Sequence, residues 1–334
     1  MCTTKFTQYN MVKILFTDTH FGVKQNSMTW FSSQKSFIED QLLPIIKQCR
    51  SEQDDVHLIH LGDVFDSRST ISTYIATEIV KIFKELRDNV TKFTIIGGNH
   101  DYYSPNTDKV DTLNLILKNL DIQLVTNKYE IDGEDLYMPW YEWLSNINNL
   151  TDIIKTHNIK NIYTHADIVT FPPKNIPARV FSGHIHTPKI VNNLYNLGSC
   201  YYLDFGDSNQ ERGIYIIKNN SIRFIPNTKS IKFWRLYDED VFGSQEKYNS
   251  KDYFEIYISQ QNLQDQKYID VLSKYINTYK NSIIIPRYPE LINENTDSEN
   301  CLNPYGMENM IKELIPANLS QKFKMVLDKC NAQF

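Results

Sequence analysis

Ile95-Ile96-Gly97-Gly98-Asn99-His100-Asp101 is the stretch that decides how this chain is read. The apolar run Phe93 to Ile96 has the character of a buried strand. Two glycines stop it, and an amide, an imidazole and a carboxylate follow in consecutive positions. Glycine lets a backbone turn sharply and approach a ligand closely, and parallel α/β sheets put their chemistry in such strand-end loops. Taken alone, the triplet is equally a turn with Asp101 as its cap. The same design, however, recurs four more times.

The strand Met11 to Phe16 runs into Thr17-Asp18-Thr19-His20, and Val56 to Leu61 into Gly62-Asp63-Val64-Phe65-Asp66. Ile159 to Thr164 delivers His165, and Arg179 to Ser182 delivers Gly183-His184-Ile185-His186. Five of the eight histidines therefore follow apolar runs. His57 and His60 lie inside one and His157 in a helical stretch, where structural roles are expected. Asp18 and His20, two apart, project to one side of an extended backbone, with Asp18 as a turn cap the alternative.

Between these strands lie amphipathic helical patterns over 32–49, 71–86, 107–119 and 146–157; Pro44 is expected to kink or divide the first. The β–α rhythm predicts a largely parallel sheet with helices over it. A meander over 194–225 is expected to complete the domain. Past Pro226, alternating strands at 231–236 and 253–258, a helix within 261–279 and a strand at 282–285 make a small α/β unit. The polar 288–304 reads as a linker. The last thirty residues carry one or two amphipathic helices, either core or partner-docking.

At 334 residues, 41% of them apolar, the chain has room for one large domain and a smaller one. A net charge of −5 gives no global basic field, so a nucleic-acid enzyme would need a local patch. Lys232 and Arg235, beside Phe233 and Trp234, are candidate DNA contacts; a solvated strand is the alternative. Five scattered cysteines without a Cys-x-x-Cys pair argue against a disulfide framework or a zinc knuckle. No run approaches a membrane span and no apolar signal core opens the chain, so a cytoplasmic protein is expected.

Asp18, His20, Asp63, Asn99, His165, His184 and His186 form a set of imidazoles, carboxylates and one amide suited to Mn²⁺, Fe²⁺ or Zn²⁺. Seven ligands suit two divalent ions with open positions, and a carboxylate such as Asp63 can bridge them. His184 and His186, on one side of an extended segment, would each reach a different ion. Two carboxylates under two such ions leave a net positive site that attracts a phosphodiester oxygen. His100 is surplus to the metal count. It suits stabilising the transition state or protonating the leaving oxygen, with Asp101 orienting it or acting as a cap.

These five motifs, D-x-H, G-D-x-x-D, G-N-H-D, a lone H and G-H-x-H in that order across residues 18–186, resemble those of the calcineurin-like metallophosphoesterases. Within that superfamily the chain looks most like the SbcD-type nucleases of double-strand-break repair, through Gly62 to Arg68, the start Met11 to Leu15, and Gly198-Ser199 with Leu203 to Asp207. The compact length and the Phe224-Ile225-Pro226-Asn227 ending are most similar to the recombination endonuclease subunits of large tailed phages. The resemblance implies an α/β (α+β) fold: a β-sandwich flanked by helices over 11–228, after an appendage at 1–10. It implies a small α/β DNA-capping domain over 229–288, then a linker and C-terminal helices over 289–334 for an ATPase partner. Asp18, His20, Asp63 and His186 would hold one metal and Asp63, Asn99, His165 and His184 the other, with His100 catalytic and Asp66 supporting them from behind. Mn²⁺-dependent exonuclease and endonuclease action on DNA, in recombination, repair and replication, follows from the likeness. So do a homodimer, through 70–88 and 103–119, and an SbcC-type ATPase subunit. Thr164 departs from the glycine that relatives often carry before the lone histidine.

Overall fold

A computed structural model describes residues 11–287, apart from 53, 105–106, 209, 243–247 and 260. The appendage at 1–10 and the linker and helices of 289–334 lie outside the described residues. The chain divides into two compact units, Met1–Leu203 with Gln210–Ser230, and Asp204–Asn209 with Ile231–Phe334.

The first unit carries β1 (Met11–Phe16), β2 (Asp55–His60), β3 (Lys92–Ile96), β4 (Tyr102–Ser104), β5 (Thr107–Asp111), β6 (Gln123–Val125), β7 (Glu130–Asp132), β8 (Asp135–Met138), β9 (Asn161–Thr164), β10 (Arg179–Ser182), β11 (Lys189–Val191), β12 (Leu194–Asn196), β13 (Gly213–Lys218) and β14 (Ser221–Pro226). Two six-stranded sheets result, ordered β14-β13-β1-β2-β3-β6 and β11-β12-β10-β9-β8-β7. β1, β2, β3 and β6 are parallel in the first sheet, and β8, β9, β10 and β12 in the second. Side chains contributed by both, among them Leu15, Ile59, Ile96, Tyr163 and Phe181, form one buried cluster, so the sheets stack as a sandwich. Helices cover the outer faces. Ile75, Ile79, Phe83 and Leu86 of the helix Thr73–Asp88 recur at the 3.6-residue spacing that makes one buried stripe. Leu150 and Ile154 of Leu150–His157 serve the second sheet in the same way.

Two expectations change, and a third, the division of the first helix at Pro44, takes a specific form. The helix foreseen over 107–119 forms only at Thr112–Leu117; its first part is β5, paired with β4 in a hairpin. Asp111 ends the strand and starts the helix, its carboxylate accepting the Asn114 N–H at 2.6 Å, a side-chain cap that satisfies an otherwise orphaned donor. Val110 consequently lies exposed instead of inward. The meander over 194–225 is not one element, because β12 belongs to one sheet and β13–β14 to the other. In the long helix at 28–51 the irregularity is a π turn, Ile38–Leu42, running into Pro44. Proline has no N–H for the carbonyl four residues earlier, and a widened turn accommodates that loss.

The second unit carries β15 (Phe233–Tyr237), β16 (Tyr253–Ser259) and β17 (Ser282–Arg287), parallel and adjacent in that order. The helix Gln266–Thr278 shares a buried cluster with Leu236, Phe254 and Ile256 through Tyr268 and Leu272. A small α/β unit was expected here, and one is found. Among the described residues, no helix is long and apolar enough to cross a membrane.

Candidate metal centre

The site forms where β1, β2, β3, β9 and β10 end. The loops after β1 and β2 stay zipped together: the Asp18 N–H donates to the Gly62 carbonyl and the His20 N–H to the Asp63 carbonyl, each at 3.1 Å. Asp101 ties in the third loop. One of its oxygens accepts the N–H groups of Val64 and Phe65, and the other that of Gly98.

Asp18, His20, Asp63 and His184 all have positive φ, between 41° and 77°. Non-glycine residues rarely adopt this left-handed region, and a cluster of them marks a functional site held in shape by its surroundings. The Asp18-x-His20 pair is therefore not extended, as the two-residue spacing suggested. The turning backbone still brings both side chains to one place. Gly62, with φ +100°, allows a close approach: a Cβ there would lie 2.5 Å from His165 Nδ1.

Two groups of candidate ligands result, Asp18 with His20 and His186, and Asp63 with His165 and His184. In the first, the Nε2 atoms of His20 and His186 face each other at 3.2 Å, while Asp18 Oδ1 lies 3.8 and 3.7 Å from them. In the second, Asn99 Oδ1 lies 3.1 Å from His165 Nε2 and 2.8 Å from His184 Nδ1. Asp63 stands between: its Oδ2 is 3.2 Å from His165 Nε2 and 3.7 Å from His20 Nε2. All seven expected ligand residues thus converge, with His184 and His186 turned to different groups.

The donor set fits divalent cations. His165 Nδ1 faces the Leu61 carbonyl at 2.7 Å, so it must be the N–H, and in the neutral ring Nε2 presents its lone pair. That lone pair meets two more acceptors, Asp63 Oδ2 and Asn99 Oδ1. Acceptors converging on a point call for a cation, and a hydrogen bond on the far ring nitrogen is how ligating histidines are held. Behind His20, Asp66 Oδ1 lies 3.5 Å from Nδ1, the expected supporting position.

Electrostatics agree. Burial raises the Asp18 carboxyl, but His20 beside it and the imidazoles of His165 and His186 draw it down to about 2. Asp63 is likewise lowered: against its burial work the charges of His165, His20 and His100. Burial opposes protonation of His20 and His165, but the carboxylates around them raise the two to about 10 and about 9. Burial, followed by repulsion from Asp63, pushes Asp101 up to about 7 despite its backbone donors. His184 is lowered by burial and then by His165. The two buried carboxylates thus favour positive charge beside them.

His100 lies at the rim, half-buried, its N–H donating to Asp63 Oδ1 at 2.8 Å. Its Nδ1 donates to the Asp66 carbonyl at 2.6 Å. The group orienting the ring is therefore that carbonyl and not the Asp101 carboxylate, whose oxygens are occupied by backbone donors. A backbone carbonyl leaves no mark in a sequence. His60 takes the structural place foreseen for it. It accepts the Gly62 N–H on Nδ1 and faces Thr19 Oγ1 with Nε2 at 2.9 Å, while burial lowers it to about 3. Gln34 was not foreseen; it donates to the Thr19 carbonyl at 2.8 Å and steadies the first loop.

In the second unit, Arg235 pairs with Glu255 at 2.7 Å, and the Lys232 ammonium lies 5.8 Å from the Trp234 ring centre. Lys232 and Trp234 thus share a side.

Residues 11–188 match the family model described as calcineurin-like phosphoesterase. Exonuclease subunit 1 of Enterobacteria phage T4 is 26% identical over 190 residues, covering 51% of this chain and 55% of that protein. The chain thus spans about half the length of this curated relative. A solved Staphylococcus aureus structure described as a 5′-nucleotidase aligns over 65% of this chain and 54% of its own, at 13% identity and a TM-score of 0.38.

Proposed function

The chain belongs to the calcineurin-like phosphoesterase family, and from that premise we propose that it is the nuclease subunit of a DNA-processing complex, hydrolysing phosphodiester bonds. The observation that carries the hydrolytic part is the convergence of Asp18, His20, Asp63, Asn99, His165, His184 and His186 at five adjoining strand ends. DNA as substrate rests on the likeness to the phage exonuclease subunit over half the chain. Asp18, His20, Asp63 and His186 are the proposed ligands of one divalent ion, and Asp63, Asn99, His165 and His184 of a second, with Mn²⁺ the metal proposed. Such ions supply an activated water and neutralise charge on the phosphoryl oxygens.

The protein's own groups do the rest. Asp63 links the two ligand groups and, through the His100 N–H, fixes the rim. The Asp66 carbonyl holds the His100 Nδ1–H, leaving Nε2 to carry a proton to the leaving oxygen. Asp101 acts by fastening the loops after β2 and β3 together.

A homodimer is proposed through Thr73–Asp88 and the β4–β5 hairpin with Thr112–Leu117, where Tyr74, Tyr103, Val110 and Leu115 are all exposed. Exposed apolar side chains that lie together mark interaction surfaces, and these four are the candidates. Residues 229–288 are the proposed capping domain, with Lys232 and Arg235 meeting phosphates. Residues 289–334 are the proposed attachment for an SbcC-type ATPase, in the cytoplasm of the cell where the protein acts. The test is nucleotide release from linear double- and single-stranded DNA with Mn²⁺, Mg²⁺ or EDTA. Mn²⁺-dependent release that His100→Ala abolishes supports the reading. Turnover of a small phosphodiester with DNA left intact, also when the ATPase is present, replaces it with that of a small-molecule phosphoesterase. Metal binding with neither activity would leave a DNA-tethering scaffold.

A further inference from the structure

We propose that Trp140 is the platform on which the base of a nucleotide flanking the scissile phosphate stacks. The inference rests on the nuclease reading above and adds a substrate feature to it, an unstacked nucleobase.

Strand register places the residue. β8 and β9 are parallel neighbours with Met138 opposite Thr164. His165 is the first residue beyond that pair on one strand, and Trp140 the second beyond it on the other. The Trp140 N–H donates to the Gly97 carbonyl at 3.0 Å, two residues before Asn99. Trp140 is thus fastened between the strand ends that supply His165 and Asn99.

The ring is held but not used by the fold. Tyr141 meets it edge-on, with centroids 4.8 Å apart, and Tyr141 is itself anchored by its hydroxyl on the Ser104 carbonyl and its edge on Tyr102. Trp140 nonetheless stays only half-buried and joins none of the unit's three apolar clusters. Trp143, less than a turn further on, is 3% exposed within one of them. Its indole N–H has no partner among the described residues. A large, rigid aromatic side chain fastened beside the proposed phosphodiester site, preorganised and partly open to solvent, suits stacking on a base. Every base presents a π-face, so the contact is indifferent to sequence.

The test combines protein and substrate changes. Cleavage of a short oligonucleotide with Mn²⁺ is measured for wild type, Trp140→Ala and Trp140→Phe, with an abasic residue moved along the strand one position at a time. Binding of the same oligonucleotides in EDTA is followed by fluorescence anisotropy. Trp140→Ala is expected to raise KM and Kd roughly ten- to a hundredfold on intact DNA, and Trp140→Phe much less. One abasic position flanking the cut should cost the wild type a similar factor and cost Trp140→Ala nothing more. Equal losses by Trp140→Ala on intact and abasic DNA would make the role structural and overturn the proposal. A wild type indifferent to every abasic position overturns it without recourse to any variant. Wild type that leaves DNA uncut with metal and ATPase present refutes the nuclease reading itself, a different result from cleavage that ignores residue 140.

Discussion

His57 and His60 are three residues apart on β2, both buried, and they face opposite ends of the sandwich, which handle buried charge in opposite ways. At the His57 end each charge has a partner of its own. Lys13 is ion-paired with Asp135 beside the Tyr163 ring, and Asn161 donates to the same carboxylate at 2.8 Å. Lys92 pairs with Asp132 and lies 5.4 Å from the Tyr137 ring centre. The rings of Tyr137, Tyr163, Phe181 and Tyr195 continue as a stacked series between the sheets. At the His60 end, two nearly inaccessible carboxylates, Asp18 and Asp63, both on left-handed backbone, have no lysine or arginine partner among the described residues; the basic groups beside them are the imidazoles of His20, His165 and His186. One end is complete by itself. The other is built to receive cations.

The largest expected effect breaks that contrast at its centre. Asp63→Asn keeps the shape and removes the shared charge, and should lower phosphodiester hydrolysis about ten-thousandfold, the several kcal/mol that charge neutralisation supplies. Stability in EDTA should hold or rise, since an unneutralised buried charge costs folding energy. The rise in Tm that Mn²⁺ gives the wild type by binding the folded state should be lost. Full activity with an unchanged metal-dependent Tm would refute the bridging role. Next in size, His100→Ala should slow hydrolysis about a thousandfold. Because His100 contributes only its backbone N–H to Asp63, metal affinity by calorimetry should stay within error of wild type. A matching fall in metal affinity would instead class His100 with the ligands.

At the other end the same kind of substitution should cost stability and spare chemistry. Lys13→Met leaves Asp135 largely buried with neutral partners only, and should destabilise the protein by about 3 kcal/mol in denaturant unfolding. Cleavage rates well below the unfolding midpoint should be unchanged. Loss of activity in a folded Lys13→Met protein would show that the two ends are coupled.

How much of this contrast the sequence displays follows from what each end is made of. The ligands are side chains of rare types placed just after apolar runs, so Asp18 through His186 can be read as a set. The alternation of apolar strands with 3.6-spaced stripes likewise reveals the α/β rhythm. What stays hidden is backbone. Nothing in the letters Asp18-Thr19-His20 announces left-handed turns, or the Asp66 carbonyl as the group that orients His100. Asp101 reads as a partner for the adjacent imidazole, yet its oxygens serve the N–H groups of Gly98, Val64 and Phe65, which only the folded loops bring near. Residues 107–111 read as helix because Val110 is in phase with Leu113 and Leu117; pairing with β4 overrides that local pattern. The ion pair of Lys13 with Asp135 joins positions 122 apart, one on each sheet, and no local rule connects them.

The smallest effect concerns His57 and sharpens the comparison from the quiet end. Its Nε2 lies 2.8 Å from Thr94 Oγ1, and burial, then the charges of Lys92 and Lys13, lower it from the usual 6.5 to about 3. Above pH 6.5 the ring is neutral in both folded and unfolded chains, and its full contribution to stability is present. Between 6.5 and about 3 the unfolded chain binds a proton that the folded one refuses, so stability falls as pH falls. One proton corresponds to about 1.4 kcal/mol per pH unit, hence about 2 kcal/mol by pH 5. His57→Gln retains a hydrogen-bonding partner for Thr94 without a titrating group. Its unfolding free energy should therefore decline less steeply with acid than that of wild type, by one proton's worth of slope. An identical slope in both proteins would mean that His57 is protonated in the fold, its ring compensated by the carboxylates of Asp132 and Asp135. In that case the His57 end, too, would hold a cation of its own.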